Sequence, residues 1–410
     1  YDVHWPFYQY ETARKVRQSP FYTIMSEMGA CFGEVAGWER PNWFAPAGVA
    51  PEYEYSFTKQ NWFDYSAAEH HAVRKNVGIM DQTSFAKFQI EGKDAESELD
   101  RICAGDMKIK PNSWVYTQCL NERGGIEADL TVTRVSSDKY LIVTSGGSQT
   151  RDFSWIKSQI RENAHCILTD VTSAYSVLGI QGPMARSLLE KLTNSNLSNY
   201  EFPFRASKNI EIGYAIVRAS RISYVGELGW ELYIPTEFAR DVYLKILNVG
   251  ESCGLTHVGA HAINSLRIEK GYRHWGHDIT NEETPLEAGL SFAVDWKSSH
   301  GFVGFDALKR KRELGVKKYL AQFLLTKNDQ FLYHNEPIYR NSKVVGYVTS
   351  AMYGHTLGGS VGLGYVESSS EVDKNYIMEG NYQIEVAGQK IGAKVSVRPM
   401  YDPENKRLKG

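Results

Sequence analysis

The chain is 410 residues long, 42% hydrophobic and 23% charged, with a formal net charge of -2. That length exceeds one ordinary core, so two or three globular domains are expected. The balanced charge offers no general attraction to nucleic acid or to anionic membrane, and no run approaches the roughly 18 apolar residues of a spanning helix. Five scattered cysteines without a Cys-x-x-Cys pair suit a reducing compartment better than a disulfide scaffold.

Residues 1–60 read as an aromatic, proline-punctuated connector. The chain begins at Tyr1 and not Met, with neither a signal nor a transit pattern, and reads as the interior of a longer polypeptide. Tyr22 to Met28 has a short helical pattern stopped by Gly29. In GWERPNWFAP (Gly37 to Pro46), Trp38, Trp43 and Phe44 need burial that so short a segment cannot supply itself. An arm packed across a larger neighbour is expected, including a domain beyond these residues.

From Asn61 to about Ser299 strands and helices mix, and a domain boundary is placed near residue 316. Phe85 to Ile90 alternates like a strand, and Asp94 to Cys103 follows as a helix with Leu99, Ile102 and Cys103 inward. Tyr116 to Leu120 and Leu130 to Val135 read as strands joined by a turn at Gly124-Gly125, with Asp129 at the entry to the second. Tyr140 to Val143 is a further strand. Val177 to Ile180 runs into Gly182-Pro183 and a helix carrying Met184, Leu188, Leu189 and Leu192. Ile222 to Ile234 looks like a hairpin around Gly226 and Gly229, and Thr236 is placed to cap the helix after it. Asn264 to Gly271 reads as a helix with Ile263 and Leu266 inward. Such units, repeated about twice, predict two related α/β layers and not one doubly wound sheet. Phe302 to Gly315 is a charged helical joint. Beyond it the period falls to two, with turns at Asn341-Ser342 and Gly388, which predicts a C-terminal β-barrel over 317–410.

No dinucleotide or P-loop glycine pattern follows a strand, and GGSVGLG (Gly358 to Gly364) reads better as close backbone packing. Cys253, His257 and His261 are spaced four apart, as helical metal ligands would be. Gly254 and Gly259 break any such helix, so structural or substrate-facing histidines are the better reading and no metal is assigned. Two acids stand out. Asp129, between Ala128 and Leu130, is either an ordinary turn carboxylate or an acid aimed at a ligand. In SYVGELGWELY (Ser223 to Tyr233), Glu231 beside Tyr224 and Trp230 offers what a flat heterocycle with adjacent N–H donors requires, while Glu227 reads as a solvated turn residue. Arg267 and Lys270 either attract an anionic tail or form pairs on a wet helix face.

Six stretches in order, VGIMDQTSFAKFQIEG, LNERGGIEADLTV, LGIQGP, YVGELGWEL, NSLRIEKG and TPLEAGL, resemble the tetrahydrofolate-binding aminomethyltransferase fold of the glycine cleavage T-protein. GWERPNWF and EKGYRHW are similar to the carboxyl-terminal half of the sarcosine and dimethylglycine dehydrogenases. The resemblance implies an α+β fold with a terminal barrel: a 1–60 connector, folate-binding domains over 61–316, and the barrel over 317–410. It implies tetrahydrofolate as cofactor, FAD in a preceding region not present here, a methylamine or its iminium or formaldehyde product as small-molecule partner, and a bacterial cytoplasm or mitochondrial matrix. Asp129 corresponds to the acid beside folate N10, Glu231 to the carboxylate that holds the pterin, and Tyr116 and Tyr224 to cavity tyrosines. Two positions depart from the T-protein pattern: Ile263 replaces an arginine, and Ser145 replaces a cavity asparagine. They count against an aminomethyl-lipoyl substrate and leave folate binding intact.

The implied reaction begins with a flavin that oxidises a methylamine, after which tetrahydrofolate captures the carbon as 5,10-methylenetetrahydrofolate. A carboxylate near N10 would take or steer the proton lost on ring closure. Two relatives of the same fold supply alternatives: a demethylase of sulfonium or aryl-ether compounds, and a non-catalytic regulatory subunit.

Overall fold

The computed structural model describes residues 2–410, which form two compact units, neither continuous in sequence. The first comprises Tyr1–Ala86, Val171–Leu266 and Glu404–Gly410; the second comprises Lys87–Asp170 and Arg267–Pro403. No helix among the described residues is long and apolar enough to cross a membrane.

The first unit is built on a six-stranded sheet. Its order is Ser207–Ile212, Ala215–Ser220, Gly229–Pro235, Tyr175–Gln181, Val77–Asp81 and Leu255–His257, the last pair parallel and the others antiparallel. Ile180, Trp230, Leu232 and Ile234 are fully buried with Val242, Tyr243 and Ile246 of the helix Ala239–Gly250, so the helical repeat packs as expected. Part of the aromatic arm belongs to this unit. Phe21, Met25 and Ala30 join its core, and Trp43 is completely buried beside the hairpin partners Ala30–Val35 and Trp38–Phe44. Two local expectations fail here. Residues 222–228 form an irregular loop, because Gly229–Pro235 pairs with Ala215–Ser220 and Tyr175–Gln181 and not with its own upstream residues. Thr236 opens a short 3₁₀ turn and donates its hydroxyl to the Ser173 carbonyl (2.8 Å), so it caps no α-helix.

The second unit carries a five-stranded sheet in the order Ser113–Leu120, Ile126–Arg134, Lys139–Thr144, Ala86–Glu91 and Ile167–Asp170. It also carries a closed six-stranded barrel: Lys318–Leu325, Gly359–Glu367, Lys343–Gly354, Pro337–Arg340, Tyr382–Val386 and Gln389–Ser396. Closure leaves no barrel strand with an unpaired edge. A Cβ on Gly364 would fall 2.5 Å from Ile338 Cδ1 and 2.7 Å from the Tyr347 carbonyl oxygen, so close strand packing accounts for the glycine-rich run.

Each α/β sheet repeats one device. Ile90-Glu91-Gly92 leads to Ala95, and Ile180-Gln181-Gly182 leads to Ala185. Gly92 and Gly182 have φ of 141° and 134°, and a Cβ on either would strike backbone oxygen within 2.4 Å. Both turns are closed by an amide of that alanine donating to the glycine carbonyl at 3.0 Å. Only glycine fits there.

Candidate functional site

In the second unit Asp129 is the fourth residue of Ile126–Arg134, not its entry. The strand begins earlier because IEADLTV already alternates: Ile126, Ala128, Leu130 and Val132 are buried, while Glu127, Asp129 and Thr131 take the half-buried face. A bulge between Cys119 and Leu120 sets what Asp129 meets. Leu120 pairs with Ile126 but Cys119 pairs with Ala128, so Gln118 comes directly opposite Asp129. Gln118 Nε2 donates to Asp129 Oδ1 at 2.9 Å. Tyr116 pairs with Thr131 on the same face and stacks near Phe292, ring centroids 6.3 Å apart.

Burial pushes the Asp129 carboxyl up to about 6, opposed by hydrogen bonds from Gln118 and Tyr116 and by the charge of Arg273, and assisted by Asp152. Asp152 is itself buried and raised, and it accepts from the Thr144 (2.5 Å) and Ser148 (2.8 Å) hydroxyls. Ser145 is half-buried and accepts from the Gly147 amide at 3.3 Å, capping a short 3₁₀ turn. A carboxyl poised near 6 can take a proton at neutral pH and be regenerated.

In the first unit Glu231 lies on Gly229–Pro235 between Gly179 and Ser220. Tyr233 donates its hydroxyl to Glu231 Oε2 at 2.7 Å, and burial raises the carboxyl above its usual range while that bond opposes it. No described residue bonds the other oxygen. Tyr224 is half-buried in the loop before the strand, which Ser223 Oγ pins by accepting from the amides of Val225 (3.2 Å) and Gly226 (3.0 Å).

Glu227 corrects the sequence reading. It is 1% exposed and receives Arg74 Nη1 at 3.2 Å and Arg407 Nε at 3.1 Å, so it is a buried ion-pair centre and not a solvated turn residue. Arg267 and Lys270 do not sit on a wet face either. Arg267 is 2% exposed and bonds Asp278 Oδ2 at 3.0 Å and the Tyr272 carbonyl, while Lys270 Nζ bonds the Asp402 carbonyl at 2.7 Å. The spaced histidines go to separate partners. His257 Nε2 bonds the Tyr243 hydroxyl (2.6 Å), and His261 bonds the Tyr53 hydroxyl (2.8 Å) and stacks on Trp62. No group of three possible metal ligands occurs among the described residues.

Gln118, Asp152 and Arg273 were missed from sequence. The hairpin hinted at Gln118, but counting back from the turn without the bulge pairs Asp129 with the wrong residue. Asp152 reaches the site through hydroxyls on either side of a short turn, which no spacing rule anticipates.

Two α/β sheets and a closed barrel, with an ionisable acid on a strand face of each sheet, define an aminomethyltransferase-type fold. Residues 21–298 match the GCVT N-terminal domain and residues 318–402 match the glycine cleavage T-protein C-terminal barrel domain. The chain belongs to this family. A crystal structure of the glycine cleavage system aminomethyltransferase T from Bartonella henselae superposes with a TM-score of 0.80 at 25% identity, over 95% of this chain and 99% of that one. The whole chain aligns at 38% identity with 49% of a 4-methylaminobutanoate oxidase (formaldehyde-forming) of Paenarthrobacter nicotinovorans, and at 34% with 49% of human mitochondrial sarcosine dehydrogenase. A mouse mitochondrial pyruvate dehydrogenase phosphatase regulatory subunit matches at 34% over 98% of this chain and 48% of its own length. The chain thus spans about half the length of these curated relatives.

Proposed function

We propose that this chain is the tetrahydrofolate-binding part of an FAD-dependent methylamine dehydrogenase or oxidase, and that it captures the released carbon as 5,10-methylenetetrahydrofolate. The observation that carries the reading is Asp129, a desolvated carboxyl near 6 held by Gln118 on a half-buried strand face. FAD would belong to a region outside these residues. The relatives' names support a secondary or tertiary methylamine as the carbon source, and two of them are mitochondrial proteins.

The donor and acceptor chemistry fits a reduced pteridine. Glu231 keeps one carboxylate oxygen for N–H donors while Tyr233 fixes the other, and Gln118 Oε1 is buried without a partner beside Asp129. Tetrahydrofolate, when bound, supplies N5 and N10 as the nitrogens that receive the one-carbon unit. Asp129 would accept the N10 proton, with Gln118 holding its carboxyl in place. Glu231 would grip the pterin edge, and Tyr116, Tyr224 and Ser145 would complete the contacts. Arg267, paired with Asp278, would act through the framework behind them. The compartment we favour is the bacterial cytoplasm or the mitochondrial matrix.

Asp129→Asn should retain tetrahydrofolate binding by calorimetry and lose about 10²–10⁴ in single-turnover formation of methylenetetrahydrofolate from formaldehyde. An unchanged rate would remove Asp129 from the reaction. The regulatory-subunit relative favours a second reading, a chain with this fold and no transfer activity. Absence of any tetrahydrofolate binding by the unmodified chain would select it. Formation of methylfolate would instead select a demethylase.

A further inference from the structure

Arg40, in the GWERPNWF stretch, is a cation without an anion. Its Nε is buried with no hydrogen-bond partner, and among the described residues no carboxylate or carbonyl meets its guanidinium. The acid next to it is engaged elsewhere. Glu39 accepts from Arg14 Nε (2.9 Å) and Nη2 (2.6 Å) and from the Lys15 amide (2.5 Å). Along Trp38–Phe44, Arg40 alternates with Glu39 and shares a face with Asn42.

That face is polar and already satisfied apart from the arginine. Asn42 Nδ2 donates to Gln9 Oε1 (3.2 Å) and to the Tyr53 hydroxyl (2.8 Å), so Tyr53 donates in turn to His261 Nε2 (2.8 Å). Gly33, opposite Arg40 in the hairpin, has no side chain, and the space is taken by Gln9 and Asn42: a Cβ there would fall 2.1 Å from Gln9 Oε1 and 2.2 Å from Asn42 Nδ2. Arg40 lies near enough to Tyr53 and His261 to act on both electrostatically. Burial, with Arg40, holds His261 at about 3, so the imidazole is neutral at pH 7 and adds no charge. The cluster therefore sets one half-buried positive charge, its Nε buried, among neutral hydrogen-bonding groups. A partly desolvated charge without a counter-ion is unfavourable, and a guanidinium fork matches a carboxylate.

We propose that the Arg40 guanidinium, flanked by the Tyr53 and Asn42 groups whose protons are already engaged, is a binding site for a carboxylate. The site does not depend on the folate reading, since none of its residues is assigned there. The carboxylate has two possible sources: a small free acid of amino-acid type, or an Asp or Glu side chain of the flavin-binding region proposed to accompany this chain.

The test is thermal unfolding and calorimetry of the 410-residue chain with sodium acetate, against acetamide and against sodium chloride at equal ionic strength. Acetate should raise the unfolding midpoint and acetamide should not. Arg40→Gln should weaken acetate binding by about tenfold or more, as loss of charge-assisted hydrogen bonds implies. Without acetate, the same variant should unfold at the wild-type temperature or above it, which separates loss of binding from loss of fold. Repeating the titration on the chain joined to its flavin-binding region distinguishes the sources. A retained acetate effect indicates a free acid. A vanished effect, with Arg40→Gln now destabilising, indicates a side chain. The proposal is overturned if acetate leaves the chain unaffected, or if its effect survives Arg40→Gln.

Discussion

Asp129 is held by opposing influences of which burial is the largest. Burial raises its carboxyl, and Gln118, Tyr116 and Arg273 pull it back, leaving it at about 6. An acid at that value is mostly ionised at pH 7 yet still basic enough to take a proton in a transition state. If Asp129 is the base, single-turnover transfer should rise about tenfold per pH unit below 6 and level off above it. Gln118→Leu removes the stabilising hydrogen bond, so the break should move to higher pH. A stopped-flow profile that is flat between pH 5 and 8, with folate binding intact, would exclude this role. The shift in Gln118→Leu separates a positioning role from a merely structural one, because simple loss of packing would lower the rate without moving the break.

At the scale of elements, local patterns were legible and distant partners were not. The helix Ala95–Ile102 buries Leu99 and Ile102 as its spacing implies, and the turns at Asn341-Ser342 and Gly388 form where expected, with the positive φ that Asn341 and Gly388 favour. Glu227 was misread because its partners come from the helix Phe63–Lys75 and the terminal turn Lys406–Lys409, 153 and 180 residues away. Nothing in GELGW announces them. Glu227→Ala should cost about 3–5 kcal/mol, since it leaves Arg74 buried and charged. Replacing Arg74 and Glu227 together by apolar residues of similar volume should cost far less. Urea unfolding of the single and double variants checks both, and equal losses would mean that packing rather than charge governs the site.

At the largest scale the barrel, its period-two strands and its family were readable from sequence, whereas the polar centre that joins barrel strands to the preceding loop was not. Asp278 is fully buried in the second unit, 71 and 72 residues from two of its donors. Thr349 and Ser350 are adjacent on Lys343–Gly354 and would ordinarily point to opposite faces. A register shift between Val348 and Ser350 lets both hydroxyls reach Asp278 Oδ1, at 2.6 and 2.7 Å. Arg267 Nη1 (3.0 Å) and the His274 amide (2.9 Å) take Oδ2. Burial opposes ionisation, but Arg267 and these donors prevail and hold the carboxyl below its usual value. A folded value below the unfolded one stabilises the protein above the unfolded pKa, near 4, and that stability is lost as pH falls through the folded value. Asp278→Asn should therefore cost about 3–5 kcal/mol at pH 7, where Arg267 is left without its counter-charge. The deficit should shrink as pH falls below the unfolded value and on through the lower folded one, where the wild-type carboxyl also becomes protonated. Urea unfolding across that pH range measures this, and a deficit that stayed constant would assign the effect to lost hydrogen-bond geometry instead of charge.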